Sequence, residues 1–268
     1  MQKPHSHPGY DVLMPHLGSG WDGLITDTPR PDTSSGSSEF YAIVYRKNTV
    51  RPCANWTSIA FSDTGESKPS LRYFPDNDGS EHGTGPDRFS REPAYACFVA
   101  GFDSQAPSGL NPKDGAVGVD FMLGAYHATW SDGNEDEIVD EVSNLKSVFM
   151  AMEQAKPGEA DLLIVGDFNL VPSILHGAVL AAASGISPRG AADRTEGSGS
   201  ALNSNGDRTI NLCDHILVHD EVATSEMVGN AVVLNRIGLA ATPKIFYQTV
   251  SGHLPVMVRM RSSGPDDD

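Results

Sequence analysis

The chain has 268 residues, 39% of them hydrophobic, and sets 35 acidic side chains against 19 basic ones for a formal charge of −16. That length buries the core of one large domain or two small ones. The charge excludes a protein that grips polyanions by counterion release, since no run of Lys or Arg makes a basic patch.

Residues 1–38 are rich in Gly, Pro and Ser and read as an irregular start, with "YDVLM" as a short strand. "MQKPHSHPGY" lacks the apolar core of a signal peptide, and no apolar run reaches membrane length, so the sequence offers no membrane segment and leaves the compartment open. Glu39–Arg46, "EFYAIVYR", has the aromatic and β-branched residues of a strand. A loop-rich stretch, Lys47–Pro93, follows. "AYACFVAGF" and "VDFMLGAYHA" predict two buried strands around a Pro- and Gly-bearing loop, Asp103–Gly118.

Glu135–Ala155 is the clearest helix: Ile138, Val142, Leu145, Val148, Phe149 and Met152 recur at helical spacing. Asn134 and Glu137 resemble a capping box, and Pro157-Gly158 ends the run. A strand at Leu162–Val165 and a helix of small residues at Ile174–Ala183 come next. The polar, glycine-rich stretch Gly185–Asp207 reads as a long loop. "LCDHILV" and "LPVMVRM" supply two more strands. Cys53, Cys97 and Cys213 fit no zinc spacing, and either three thiols or one disulfide with one thiol satisfies the count. With no internal repeat or dividing linker, the chain is expected to be a single domain over residues 1–262, with 263–268 as a disordered tail. Strands with few helices indicate two packed sheets with helices outside.

Polar residues recur at the ends of these apolar strands. Glu39 opens one, His127 closes one, and Asp167 and Asn169 follow "LLIVG". Asp214 opens another, and His253 precedes the last. Singly, each is a strand that must end somewhere. Together they hold three carboxylates, two imidazoles and an amide, the groups needed for metal-assisted attack of water on a phosphate ester. His5, His7 and His16 form a weaker cluster near the amino terminus. His215 and His219 lie four apart on a strand, too far to share a metal. No G-x-S-x-G, HExxH or P-loop pattern occurs.

"VGDFN", the His127 strand, "CDHILV" and "SGHLPV" stand in the order of the motifs of the endonuclease/exonuclease/phosphatase superfamily. "FSREPAYACF", "SSEFYAIVYR" and "EIVDEVSNL" further resemble its deoxyribonuclease I-like branch. The resemblance covers roughly Glu39 to Met260. It implies an α/β fold: a four-layer α/β sandwich of two packed, mostly antiparallel sheets flanked by helices, with the active site at one edge of the sheets. It also implies that Glu39 orients His127, that Asp214 orients His253, and that the imidazoles pass protons as base and acid. Asp167 would bind Mg²⁺, with Mn²⁺ or Ca²⁺ as substitutes, or orient water. Asn169 would hydrogen-bond the phosphate or that water, and Arg91 would clamp a substrate phosphate from the rim of the cleft.

The implied activity is a metal-dependent phosphodiesterase, a deoxyribonuclease I-like endonuclease acting on DNA. A phosphomonoesterase or phospholipid phosphatase of the same superfamily is an alternative, and a non-catalytic binding protein of the fold is another. No protein partner can be inferred. Two departures bear on the metal. Ser251-Gly252-His253 stands where the family has Ser-Asp-His. The family's amino-terminal strands, one of which carries its principal metal-binding Glu, have no counterpart, so Mg²⁺ is expected to bind weakly.

Overall fold

The computed structural model describes residues 8–26, 30–31, 38–54, 56, 71–74, 89–100, 119–130, 135–182, 186–188, 199–219, 227–235 and 237–261. The presumed strand "YDVLM" is instead part of helix α1, Pro8–Leu17. Pro8 suits a first helical position and Asp11 the positive end of the helix dipole. In the last turn His16 Nδ1 donates to the Val12 carbonyl at 2.7 Å. Strand β1, Trp21–Ile25, follows, so the irregular start expected over residues 1–38 holds a helix and a strand. Two-residue strands β2, Arg30–Pro31, and β3, Ser38–Glu39, pair with one another. The expected strand Glu39–Arg46 is interrupted at residues 40–41 and resumes as β4, Ala42–Arg46, which pairs antiparallel with β1.

The main sheet contains β5 (Val50–Pro52), β6 (Arg72–Tyr73), β7 (Ala94–Ala100), β8 (Val119–His127), β9 (Leu162–Asp167), β10 (Ile186–Pro188) and β11 (Asp214–His219). Its order is β10-β11-β9-β8-β7-β5, with β6 also on β7. Within it, β8 and β9 are parallel and the other pairs antiparallel. A parallel pair needs a crossover, and helices α2 (Glu135–Ser143) and α3 (Leu145–Ala155) supply it. The single helix expected over Glu135–Ala155 breaks at Asn144. There the Asn144 amide and the Ser143 hydroxyl both donate to the Asp140 carbonyl, at 2.9 and 2.8 Å, in competition with the helical bonds. The capping residue proposed at Asn134 lies outside the described residues, as do Asp103–Gly118 and the tail 263–268.

The sheet has two faces because strand side chains alternate. Leu162 and Ile164 of β9, with Leu217 of β11, join Val142, Val148, Phe149 and Met152 from α2 and α3 and Leu175 from α4 (Pro172–Ala182). Leu163, Ile216 and Val218 face the other way, toward Ala231, Val256 and Val258. On that side β12 (Val232–Val233) pairs with β13 (Val256–Met257), and α5 (Pro243–Thr249) lies between them in sequence. Among the described residues the second sheet is thus reduced to short pairs, and the strand expected at "LPVMVRM" is two residues long. No described helix is long and apolar enough to cross a membrane.

A disulfide joins Cys53 to Cys97 of β7, and Cys213 is a buried free thiol. Gly166 meets a tighter constraint. Its φ is +152°, and a Cβ built on it would sit 1.7 Å from the Tyr126 carbonyl oxygen on β8. Gly166→Ala is therefore expected to destabilise the chain by more than ~2 kcal/mol, through a backbone clash and a φ that suits only glycine. Urea unfolding of the two proteins measures it.

Candidate active site

Three of the sequence-selected residues lie in one row across the main sheet. His127 of β8 is in register with Asp167 of β9, and Asp167 with Asp214 of β11. Side chains in one row on neighbouring strands share a face and an edge, which is why three residues far apart in sequence converge. The fourth arrives from a loop. His253 forms an isolated bridge with Ala201, and the bonds Leu202 N to Gly252 O (2.8 Å) and Leu254 N to Ser200 O (2.7 Å) fix it on either side. Ser200 is fully buried, and its hydroxyl accepts from the amides of Cys213 and Asp214 at 3.3 Å each. It joins the His253 segment to the start of β11. Sequence reasoning missed Ser200, because a serine in "EGSGSALNS" carries no signal of its own.

Each imidazole has a carboxylate behind it. His127 Nδ1 donates to Glu39 Oε2 at 2.7 Å, and His253 Nδ1 to Asp214 Oδ2 at 2.7 Å. Both Nε2 atoms then point at one oxygen: Asp167 Oδ2 is 3.7 Å from that of His127 and 3.5 Å from that of His253. The hydrogen bond it donates to Asp214 holds the His253 imidazole above its ordinary pKa. Burial, and then the Asp214 charge, hold the Asp167 carboxyl above its own. Tyr41, another residue the sequence did not mark, accepts the His127 amide on its hydroxyl at 3.2 Å.

Two sequence-based assignments change. Arg91 is not at the rim. It is 2% exposed, with Nη1 3.0 Å from Glu39 Oε1 and Nη2 donating to the Ala128 carbonyl at 2.7 Å. A guanidinium so enclosed holds Glu39 in place behind His127 and does not reach a substrate. Asn169 is at the site, but its amide hydrogens go to the carbonyls of Ala128 (2.9 Å) and Thr129 (3.4 Å). Its backbone N–H donates to Asp167 Oδ1 at 2.9 Å, and its φ of +51° is one that Asn tolerates. Asn169 positions Asp167 and is not a free phosphate donor.

His215, by contrast, is structural. It is buried, its Nε2 lies 2.9 Å from the Leu170 carbonyl, and burial lowers its pKa.

Oxygen and nitrogen donors of Asp167, Asp214 and His253 lie within 4.8 Å of one another. Glu39 adds a third carboxylate to the site, and the Arg91 charge is spent on Glu39 from behind. An oxygen-rich, under-neutralised set of this kind fits a hard divalent cation.

No protein-family model matches the chain, and no curated protein does. Solved structures do. An endonuclease/exonuclease/phosphatase from Bacteroides vulgatus is 16% identical with a TM-score of 0.57, over 96% of this chain and 82% of that one. An endonuclease/exonuclease/phosphatase family protein from Bacteroides thetaiotaomicron is 17% identical with a TM-score of 0.51, over 91% and 77%. The catalytic domain of Xenopus laevis APE2 is 13% identical with a TM-score of 0.51, over 93% and 78%. The chain has the endonuclease/exonuclease/phosphatase fold, deoxyribonuclease I-like in class.

Beneath His127 lies a buried acid outside the row. Glu141 of α2 is 2% exposed, accepts the Thr129 amide at 3.3 Å, and is pushed by burial up to about 7 from 4.5. Between those two values the folded chain keeps a proton that the unfolded chain has released. Raising the pH through that window therefore favours unfolding. Glu141→Gln is expected to gain about 2–3 kcal/mol relative to the parent between pH 5 and pH 8. Denaturant titrations at the two pH values check it.

Proposed function

We propose that the chain hydrolyses phosphate esters, as a divalent-metal-assisted phosphodiesterase. The observation that carries this is the pair of carboxylate-backed imidazoles whose Nε2 atoms flank the same Asp167 oxygen. A carboxylate on Nδ1 fixes the tautomer and raises the basicity of the opposite nitrogen. His127 Nε2 takes a proton from the attacking water. The new P–O bond forms as the ester P–O bond breaks. His253, whose protonated form the Asp214 carboxylate stabilises, gives its Nε2 proton to the leaving oxygen. Glu39 and Asp214 keep the two rings aimed, and Arg91 and Asn169 keep Glu39 and Asp167 in place.

Asp167, with Asp214 beside it, would hold the cation, which supplies positive charge to the phosphoryl oxygens. Mg²⁺ is the ion we propose, since carboxylate oxygens and few other protein ligands suit it. DNA is the substrate that the sequence resemblance favours. Incubation with supercoiled plasmid and Mg²⁺, with an EDTA control, tests the nuclease form of the proposal, and bis(p-nitrophenyl) phosphate tests the chemistry itself. No metal-dependent hydrolysis of either would leave a binding protein of this fold as the surviving reading.

His127→Ala and His253→Ala are each expected to lower the hydrolytic rate by roughly 10²–10⁴. The melting temperature should change little, because both side chains are about one-third exposed. Gly252→Asp should fold normally: a Cβ there meets only the Tyr247 ring, at 3.5 Å, which is ordinary contact. It adds an acid beside His253 and is expected to tighten Mg²⁺ binding in calorimetric titration.

A further inference from the structure

We propose that Glu141 positions His127 from behind: by tying the chain just past His127 to helix α2, it fixes the common anchor on which Glu39 and Asp167 both depend. This inference rests on the phosphoesterase reading above and adds to it a residue that touches neither substrate nor metal.

Glu141 breaks the pattern of its own helix. Ile138, Val142 and Leu145 give the crossover helices an apolar face, and Glu141 stands on that face at 2% exposure. A carboxyl in such a place opposes folding. Breaks of this kind in local consistency concentrate at functional positions.

What Glu141 holds is specific. Ala128 and Thr129 follow His127 directly, and their backbone groups bind residues of the site. Ala128 N donates to the Asp167 carbonyl at 2.9 Å. The Ala128 carbonyl accepts from Arg91 Nη2 at 2.7 Å and from the Asn169 amide at 2.9 Å. The Thr129 carbonyl accepts from the same Asn169 amide at 3.4 Å, and Thr129 N donates to Glu141 Oε2 at 3.3 Å. Two supports therefore meet on these two residues. Arg91 carries on to Glu39 and so to His127 Nδ1, and Asn169 N carries on to Asp167 Oδ1. Of these bonds, the one to Glu141 ties the pair to α2, part of the crossover between the His127 strand and the Asp167 strand.

The groups that face Glu141 are donors: the Tyr126 hydroxyl, the amides of Thr129 and Ser90, and the Arg91 guanidinium. An acceptor suits that place, and an apolar side chain of the same length does not. Without the acceptor Thr129 loses its tie, the peptide shared by Arg91 and Asn169 shifts, and Glu39 and Asp167 shift with it. Misplacing a reacting group by about 1 Å costs up to ~10²-fold in rate.

The test compares three variants of the full chain, each checked for folding by its melting temperature. Glu141→Met keeps the length and removes the acceptor. Glu141→Gln keeps an acceptor and removes the charge. Glu141→Asp keeps the charge and draws the acceptor back by one methylene. With bis(p-nitrophenyl) phosphate and Mg²⁺, the Met and Asp variants should lose roughly 10–10² in kcat with KM within about twofold of the parent, and the Gln variant should stay within about threefold in both. In a His127→Ala background the same changes should leave the residual rate alone, because Glu141 acts through that ring. Nitrogen-15 spectra of the His127 ring at alkaline pH give a second readout that needs no turnover. The parent ring should carry its proton on Nδ1, and the Met and Asp variants should show both tautomers. A parent-like kcat or an unchanged tautomer in the Met variant overturns the proposal, and the Asp variant decides if the Met variant does not fold. An equal loss in the Gln variant, or in the His127→Ala background, overturns it as well. If the parent hydrolyses no ester while the tautomer responds as stated, the phosphoesterase reading fails and the positioning of His127 stands.

Discussion

The pairing of β8 with β9 governs both the core and the site. The two strands run parallel, in a register that sets His127 beside Asp167. The Tyr126 carbonyl approaches Gly166 so closely that no side chain fits between them. Shifting a strand by one residue would turn every side chain to the opposite face. Leu162 and Ile164 would leave the helical core, and Asp167 would leave the two imidazoles. The apolar alternation that fills the core therefore also aims the carboxylate. Asp214 follows from the same register on the next strand, and Ser200 carries the order on to His253.

Electrostatics divides the site into a front and a back. At the back Arg91 is enclosed among Glu39, the Ala128 carbonyl and the neighbourhood of Glu141. Its charge is used to hold a carboxylate in place, and a lone Glu39 beside His127 would be freer to turn away. At the front two imidazoles and a carboxylate face solvent, and among the described residues no Lys or Arg pairs with them. A site built this way depends on ligands from outside for its charge balance, and that condition suits a mobile divalent ion together with an anionic ester.

Much of this was legible in the sequence. Continuous apolar runs such as "LLIVGD" place their own strand, and the polar residue that ends each run falls at the sheet edge almost of necessity. Glu39, His127, Asp167, Asp214 and His253 were found that way and do converge. What the sequence did not reveal depended on tertiary surroundings. "YDVLM" is the exception, since its helix has local causes, with Pro8 at the helix start and His16 in its last turn. The interruption at Asn144 comes from a side chain that competes locally for the Asp140 carbonyl, inside a run whose apolar period continues unbroken. Arg91 looks the same in sequence whether it is exposed to phosphate or buried under Glu39, and only packing separates the two. Ser200 acts through its hydroxyl on two amides that lie more than ten residues away.

The Cys53–Cys97 bond sets a condition on where this fold persists. It ties the end of β5 to the middle of β7, and Cys53 N already donates to the Cys97 carbonyl at 3.0 Å. The bridge spans a sequence separation of 44. By chain entropy alone, closing such a loop destabilises the unfolded state by ~4 kcal/mol. That is comparable to much of the ~5–15 kcal/mol by which domains are stable at all. The folded population is accordingly linked to the thiol–disulfide potential of the surroundings. Cys97 is fully buried and Cys53 only partly, so the Cys53 sulfur is the more accessible point of attack for a reductant.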